Sequence, residues 1–246
     1  MFSKILASVG IGSAKVDTVL MTDLLQPGGR VDVEIRAKGG NVEQRINGIT
    51  LEVMTQAQSE SDDGEIAREN IRLQSFYISD AFTLAPGEEW VMPTSFTLGA
   101  ETPITALGGD CQVWIKTEMD IDLAIDPGDK DYLLVHPTSI IQHFINALTE
   151  NGFNIAKIDV EKGYLNGNGF SSQSGCYQEI EFKPTGLGVF GSIQEVEMSF
   201  ITEENQTHVL IELDRRFRGD GYASLSVNNQ ASYDQIETAL KQLAGI

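Results

Sequence analysis

The sequence predicts a mainly-β protein: two antiparallel β-sandwich units in tandem, with a short N-terminal helix, a helix at the start of the second unit and a C-terminal helix. Three observations lead there. Apolar and polar residues alternate with period two from Val16 to Val135 and again from Phe153 to Leu213, which gives each extended segment one dry face and one wet face. Clusters of Gly, Pro, Asn and Asp punctuate those runs, as turns between short antiparallel strands require. Three other stretches repeat apolar residues at intervals of three and four, the spacing of a single helical face.

Along the chain, Phe2, Ile5, Leu6 and Val9 form the first such face. One Lys and a short apolar run imitate a secretory signal, but Gly10 and Gly12 interrupt the run, so a docked amphipathic helix suits the spacing better. Strands follow. Val31, Val33, Ile35 and Ala37 alternate with Asp32, Glu34 and Arg36. Ile49, Leu51 and Val53 repeat the pattern, as do Trp90 with Met92, Phe96 with Leu98, and Val113, Ile115 and Thr117. Pro27-Gly28-Gly29, Gly39-Gly40-Asn41, Asn47-Gly48, Pro86-Gly87 and Gly108-Gly109 are the turns between them. The acidic stretch from Ser59 to Glu69 reads as a hairpin tip. No helical pattern interrupts this block, which points to a sandwich spanning residues 1–135.

The second unit, residues 136–246, opens with a helix after His136-Pro137. Ser139 with Gln142 has the form of a capping box. Ile140, Ile141, Phe144, Ile145 and Leu148 share a face, and Asn151-Gly152 is a left-handed stop. Alternation resumes in Ile180/Phe182, Val196/Met198/Phe200 and Val209/Ile211/Leu213. Residues 166–175 read as a long surface loop. Ser232 and Gln235 repeat the capping pattern before a last helix with Tyr233, Ile236, Leu240 and Leu243 on one face. No internal repeat of fixed period is found.

Charge excludes one large class of function. Among 246 residues there are 17 Lys and Arg against 36 Asp and Glu, a net charge of −19. The acidic excess is spread over both halves, and no basic stripe exists to release counterions from a phosphate backbone. Nucleic acid is therefore not an expected partner. No run of 18 apolar residues occurs, so no transmembrane segment is expected, and a cytoplasmic location fits best. Cys111 and Cys176 are too few for a secreted disulfide framework and read as small buried hydrophobes.

Chemical motifs are weak. Gly186, Gly188 and Gly191 spell G-x-G-x-x-G, but Ser192 to Phe200 alternates as a strand, whereas that motif needs a following helix to hold a pyrophosphate. His136, His143 and His208 lack zinc-ligand spacing. No G-x-S-x-G elbow is present, so a nucleophilic hydrolase has no sequence signature, and no cofactor is expected. The densest feature is Asp120, Asp122, Asp126, Asp129 and Asp131, five carboxylates in twelve residues. They supply the hard oxygens a calcium ion takes, although EF-hand spacing fails. The competing expectation is an interdomain polar cluster in which Asp126, Asp129 or Asp131 meets Arg215 or Arg216, because the arginine fork suits bidentate pairing with carboxylates.

Several motifs together resemble the sporulation-control protein family, which has an arrestin-like fold. They are Ala7 to Thr18 followed by Pro27-Gly28, the acidic run from Asp120 to Asp131, Asn151-Gly152-Phe153, Gln178 to Phe182, and Glu212 to Arg216 with Arg218-Gly219. The resemblance covers about residues 2–220. It implies two arrestin-like sandwiches side by side with a polar interface, in a bacterial cytoplasmic regulatory or scaffolding protein without catalytic activity. Protein partners of unidentified kind are expected, and homo-oligomers formed through the N-terminal helix or an open sheet edge are compatible with the reading. The alternative is a calcium-dependent membrane- or ligand-binding module using the acidic run.

Overall fold

The computed structural model describes residues 13–60, 64–122, 127–186, 193–215 and 221–244; the helix expected over residues 2–9 lies outside them. The first block contains β1 (Lys15–Leu20), β2 (Arg30–Lys38), β3 (Gln44–Glu60), β4 (Ile66–Ser79), β5 (Phe82–Leu84), β6 (Glu89–Thr97), β7 (Val113–Ile121) and β8 (Gly128–Tyr132). Helix α1 (Ser139–Glu150) follows, then β9 (Phe153–Lys162), β10 (Asn166–Gly167), β11 (Phe170–Ser171) and β12 (Cys176–Pro184). The chain continues through β13 (Ile193–Thr202), β14 (Gln206–Arg215), β15 (Gly221–Asn228) and α2 (Tyr233–Ala244).

Strands β1, β2 and β6 form one antiparallel sheet in the order β1-β2-β6. Its dry face, Val31, Val33, Ile35 and Ala37, packs on Ile49, Leu51 and Val53 of β3 and on Ile115 and Met119 of β7. The alternation in the sequence therefore maps onto a two-layered sandwich, each large side chain contributing about 1.5–3 kcal/mol of burial.

The long strand β3 and its partner β4 run on past that sandwich. Ala57 of β3 lies in a second core, against which Ile71 and Leu73 of β4 pack. The stretch expected as a hairpin tip is thus mostly strand, since Ser59 pairs with Ala67 and Glu60 with Ile66. A parallel bridge from Gln58 to Glu161 joins β3 to β9, and β9, β12, β13, β14 and β15 follow as neighbours. One face of that sheet is covered by helices. Phe144 and Leu148 of α1 and Ile236 and Leu240 of α2 share a core with Phe153, Phe182, Met198 and Ile211. The helices are a full layer of the second unit rather than a decoration on it, because their apolar stripes are wide enough to close the sheet.

Caps account for the helix ends. The N-cap of α1 is Thr138, one residue before the expected Ser139, with its hydroxyl accepting the Ile141 N–H. Asn151 ends the helix and Gly152 takes φ +88°. At α2 the expected box is present: Ser232 N–H donates to Gln235 Oε1 at 2.8 Å, and Gln235 N–H donates to Ser232 Oγ at 3.4 Å. Residues 166–175 are not a plain loop, since β10 and β11 pair within them and Phe170 stacks on His208. The Gly186 motif leads into strand β13, as its alternation predicts; residues 187–192 lie outside the described residues.

Candidate functional site

The two cores meet around the segment between β6 and β7. Gly99 to Pro103 leave the first sandwich, and the side chains of Ile104 and Cys111 lie in the second core. Polar groups from both units are matched there. The Glu101 carboxylate accepts the backbone N–H of Gln173 at 2.8 and 3.0 Å and that of Ser174 at 2.8 Å. Two successive amides facing one carboxylate make charge-assisted bonds, roughly twice as strong as neutral ones. Four residues beyond Ser174, the Gln178 side chain accepts the Ile104 N–H at 2.9 Å and donates to the Ile104 carbonyl at 2.8 Å. One amide thus satisfies both backbone groups of a residue that enters the other unit's core, where leaving either unpaired costs about 1–3 kcal/mol.

Further bonds widen the seam. Thr202 N–H donates to the Ala100 carbonyl at 3.2 Å, and Asp110 N–H donates to Ile158 O at 3.2 Å. Gln58 Nε2 donates to Asp159 at 2.6 Å and Glu161 at 2.7 Å, and Lys162 pairs with Glu69 at 2.6 Å. Gly109 sits where a Cβ would come 2.7 Å from the Ile158 Cβ. The units therefore touch closely, and mostly through amides and backbone groups.

The described members of the expected interdomain cluster, Asp129, Asp131 and Arg215, lie on strands β8 and β14. Asp129 and Asp131 are not in a loop; they lie on β8, opposite Thr117 and Ile115 of β7. Asp129 Oδ2 accepts the Thr18 N–H of β1 at 2.9 Å, so it caps the edge of the first sandwich's other sheet. Arg215 is at the end of β14 opposite Ile193, whereas Thr202, at the far end of β13, is one of the seam residues. Nine residues of strand separate them, roughly 30 Å. Asp126 and Arg216 lie outside the described residues. Among the described residues, Asp120, Asp122, Asp129 and Asp131 form no group with ligand atoms close enough together to hold a cation. Asp120 is exposed and accepts from Asn47, and Asp122 is also exposed.

Carboxylates do converge elsewhere, on the outer face of the second sheet. Asp159, Glu161 and Glu179 form one set and Glu181, Glu195 and Glu197 another, with ligand oxygens within 4.8 Å of one another. Lys157 pairs with Asp159, and Lys183 with Glu181 and Glu195. Burial, followed by the charges of Glu161 and Asp159, pushes Glu179 up to about 7. Burial, followed by the hydrogen bond from Glu195, pushes Glu197 up to about 8. In the first unit, burial and then Asp129 push Asp131 up to about 7. These groups can hold protons near neutrality. Cys111 and Cys176 are buried and free, and burial pushes Cys111 up to about 12 and raises Cys176, which disfavours the thiolate at both.

Sequence reasoning missed Glu101 and Gln178 as seam residues. A signal for Gln178 existed, because continuing the Ile180/Phe182 alternation one step back places a polar side chain at a core position. Glu101 had none, as its partners are backbone amides of a distant loop.

Comparisons with known proteins bear on the whole of this architecture. The model of the Spo0M (SpoOM protein) family matches residues 2–217. A curated relative, the sporulation-control protein Spo0M of Bacillus subtilis (strain 168), is 36% identical over 218 residues, covering 89% of this chain and 82% of the relative. A crystal structure of Spo0M from Bacillus subtilis superposes with a TM-score of 0.84 at 30% identity, covering 96% of this chain and 99% of that one.

Proposed function

Since this chain belongs to the Spo0M family, we propose that it is a non-enzymatic regulatory protein acting in the cytoplasm through contacts with other proteins. Its two units, residues 1–135 and 136–246, are then a platform whose shape is set at the seam. Control of sporulation, named for the relative, is the process in which such a role is to be sought first.

The observation that carries the interaction reading is β4. Among the described residues this 14-residue strand pairs with β3 alone, and Ile66 and Tyr77 on it are 60% and 66% exposed. An unpaired strand edge offers a row of backbone donors and acceptors to an extended segment of another protein, with flanking side chains supplying selectivity. Photo-crosslinking in cells tests this. A photoreactive residue at Ile66 or Tyr77 is expected to give discrete protein adducts, while one at Lys38, on the wet face of β2, gives none. Adducts of equal yield and identity at all three positions, or none at β4, contradict the reading. Replacing the B. subtilis relative with this chain tests the regulatory role: restored sporulation is expected, and an unrelieved defect despite normal accumulation counts against it.

A further inference from the structure

We propose that the seam holds an internal water molecule, bound by Thr102 of the first unit and Thr202 of the second. Two independent observations point to it. The first is a pair of hydroxyls. Thr102 is 4% exposed and Thr202 5%, and neither Oγ1 has a hydrogen-bond partner among the described residues. Buried hydroxyls without partners are rare in native structures, because each forfeits its hydration without replacement. The second is a cavity shared by these same two residues, with about 20 Å³ open to the centre of a water molecule. One water needs roughly 10–15 Å³ on that measure, so the space fits one and excludes any larger ligand.

The chemistry of the lining agrees with this ligand. Ser172, 3% exposed, borders the same cavity. Its Oγ accepts the Leu165 N–H at 2.8 Å, which leaves its own proton free to donate. Three hydroxyls can therefore give and take the two to four bonds an internal water makes. Ile141 and Phe200 add apolar wall, and the Glu101 carboxylate that also borders the space is already taken up by the Gln173 and Ser174 N–H groups, while the volume leaves no room for an organic molecule. Thr102 lies between the Glu101 and Ile104 bonds, and Thr202 donates its N–H to Ala100. The bound water is thus the innermost rung of the polar ladder between the two units, and it makes seam closure depend on a third component that each unit alone would lose to bulk solvent.

The sign of a stability change distinguishes this from a dry cavity. With the water in place, Thr102→Val and Thr202→Val each remove one of its partners, and each is expected to lower Tm by about 2–4 °C. The double variant falls by less than the two shifts combined, because both act on one molecule. With no water, each substitution replaces a stranded hydroxyl by a methyl of the same shape, and Tm rises or stays unchanged, which overturns the proposal. A high-resolution crystal structure of the full chain is the second measurement. Density for one water within hydrogen-bond distance of both Oγ1 atoms is expected; hydroxyls turned to protein groups, or density resting on only one of them, refute it.

Discussion

Protons on three carboxyl groups give this acidic chain an unusual pH response. Asp131, Glu179 and Glu197 are pushed to about 7, 7 and 8, in each case first by burial. Unfolded, they would ionise near the usual carboxylate range, so between that range and pH 8 the folded chain holds protons the unfolded chain has released. Stability therefore falls as pH rises through that window and levels off above it. Glu89 and Glu237 shift the other way, held low by hydrogen bonds from Lys38 and Lys241; their contribution is lost only as pH falls below the carboxylate range. Thermal unfolding is expected to give a higher Tm at pH 5.5 than at pH 8, with the slope reduced in Asp131→Asn and Glu197→Gln (about neutral pH is where these groups titrate). A Tm that climbs steadily from acid to pH 8, or a slope untouched by both substitutions, contradicts the burial assigned to these groups.

Adjacent glycines at one turn separate backbone conformation from close packing between elements. Gly108 and Gly109 have φ of +84° and +80°, a region that penalises any L side chain by about 1–2 kcal/mol. A Cβ on Gly108 would meet nothing within 4 Å, whereas one on Gly109 would come within 2.8 Å of the carbonyl oxygen of Ile158 on β9. Gly108→Ala is thus expected to cost about 1–2 kcal/mol in denaturant unfolding, and Gly109→Ala at least about 1 kcal/mol more. Equal costs would show that β9 does not approach the turn. Sequence alone showed that a turn falls at Gly108-Gly109, since glycine pairs mark left-handed backbone. It could not show that β9 presses on the second glycine, because that contact is made between distant segments. The same division holds for other elements. Val31 to Ala37 and the stripe of α1 were legible, because burial imposes a period of two or 3.6 on local sequence. Strand β8 was not, since Gly128 to Tyr132 has charged residues at three of its five positions and owes its extension to pairing with β7. Likewise, the breadth of the two helical stripes was visible while their role as a complete layer was not.

At the scale of the molecule, the described contacts between the two cores include side-chain amides, carboxylates on backbone and side-chain N–H groups, and the Lys162–Glu69 ion pair. Charge complementarity in the sequence pointed to aspartates and arginines, because composition reports which groups are available, not which ends of the sheets face each other. Arg215 lies at the far end of β13 and β14 from Thr202. The bonds from Glu101 and Gln178 join segments 72 and 74 residues apart and rest on no local pattern beyond one polar residue in a core register. Family membership agrees with the legible part, since the motifs that resemble the sporulation-control proteins span both units. Hydrogen exchange on the Glu101→Ala, Gln178→Leu double variant tests the seam most directly. If these two side chains set how the units sit, amide protection is lost at residues 99–106 and 172–178 while the cores around Ile35, Leu51, Phe144 and Phe182 exchange as in the unmodified protein. Protection unchanged at the seam, or lost uniformly through both cores, would contradict it.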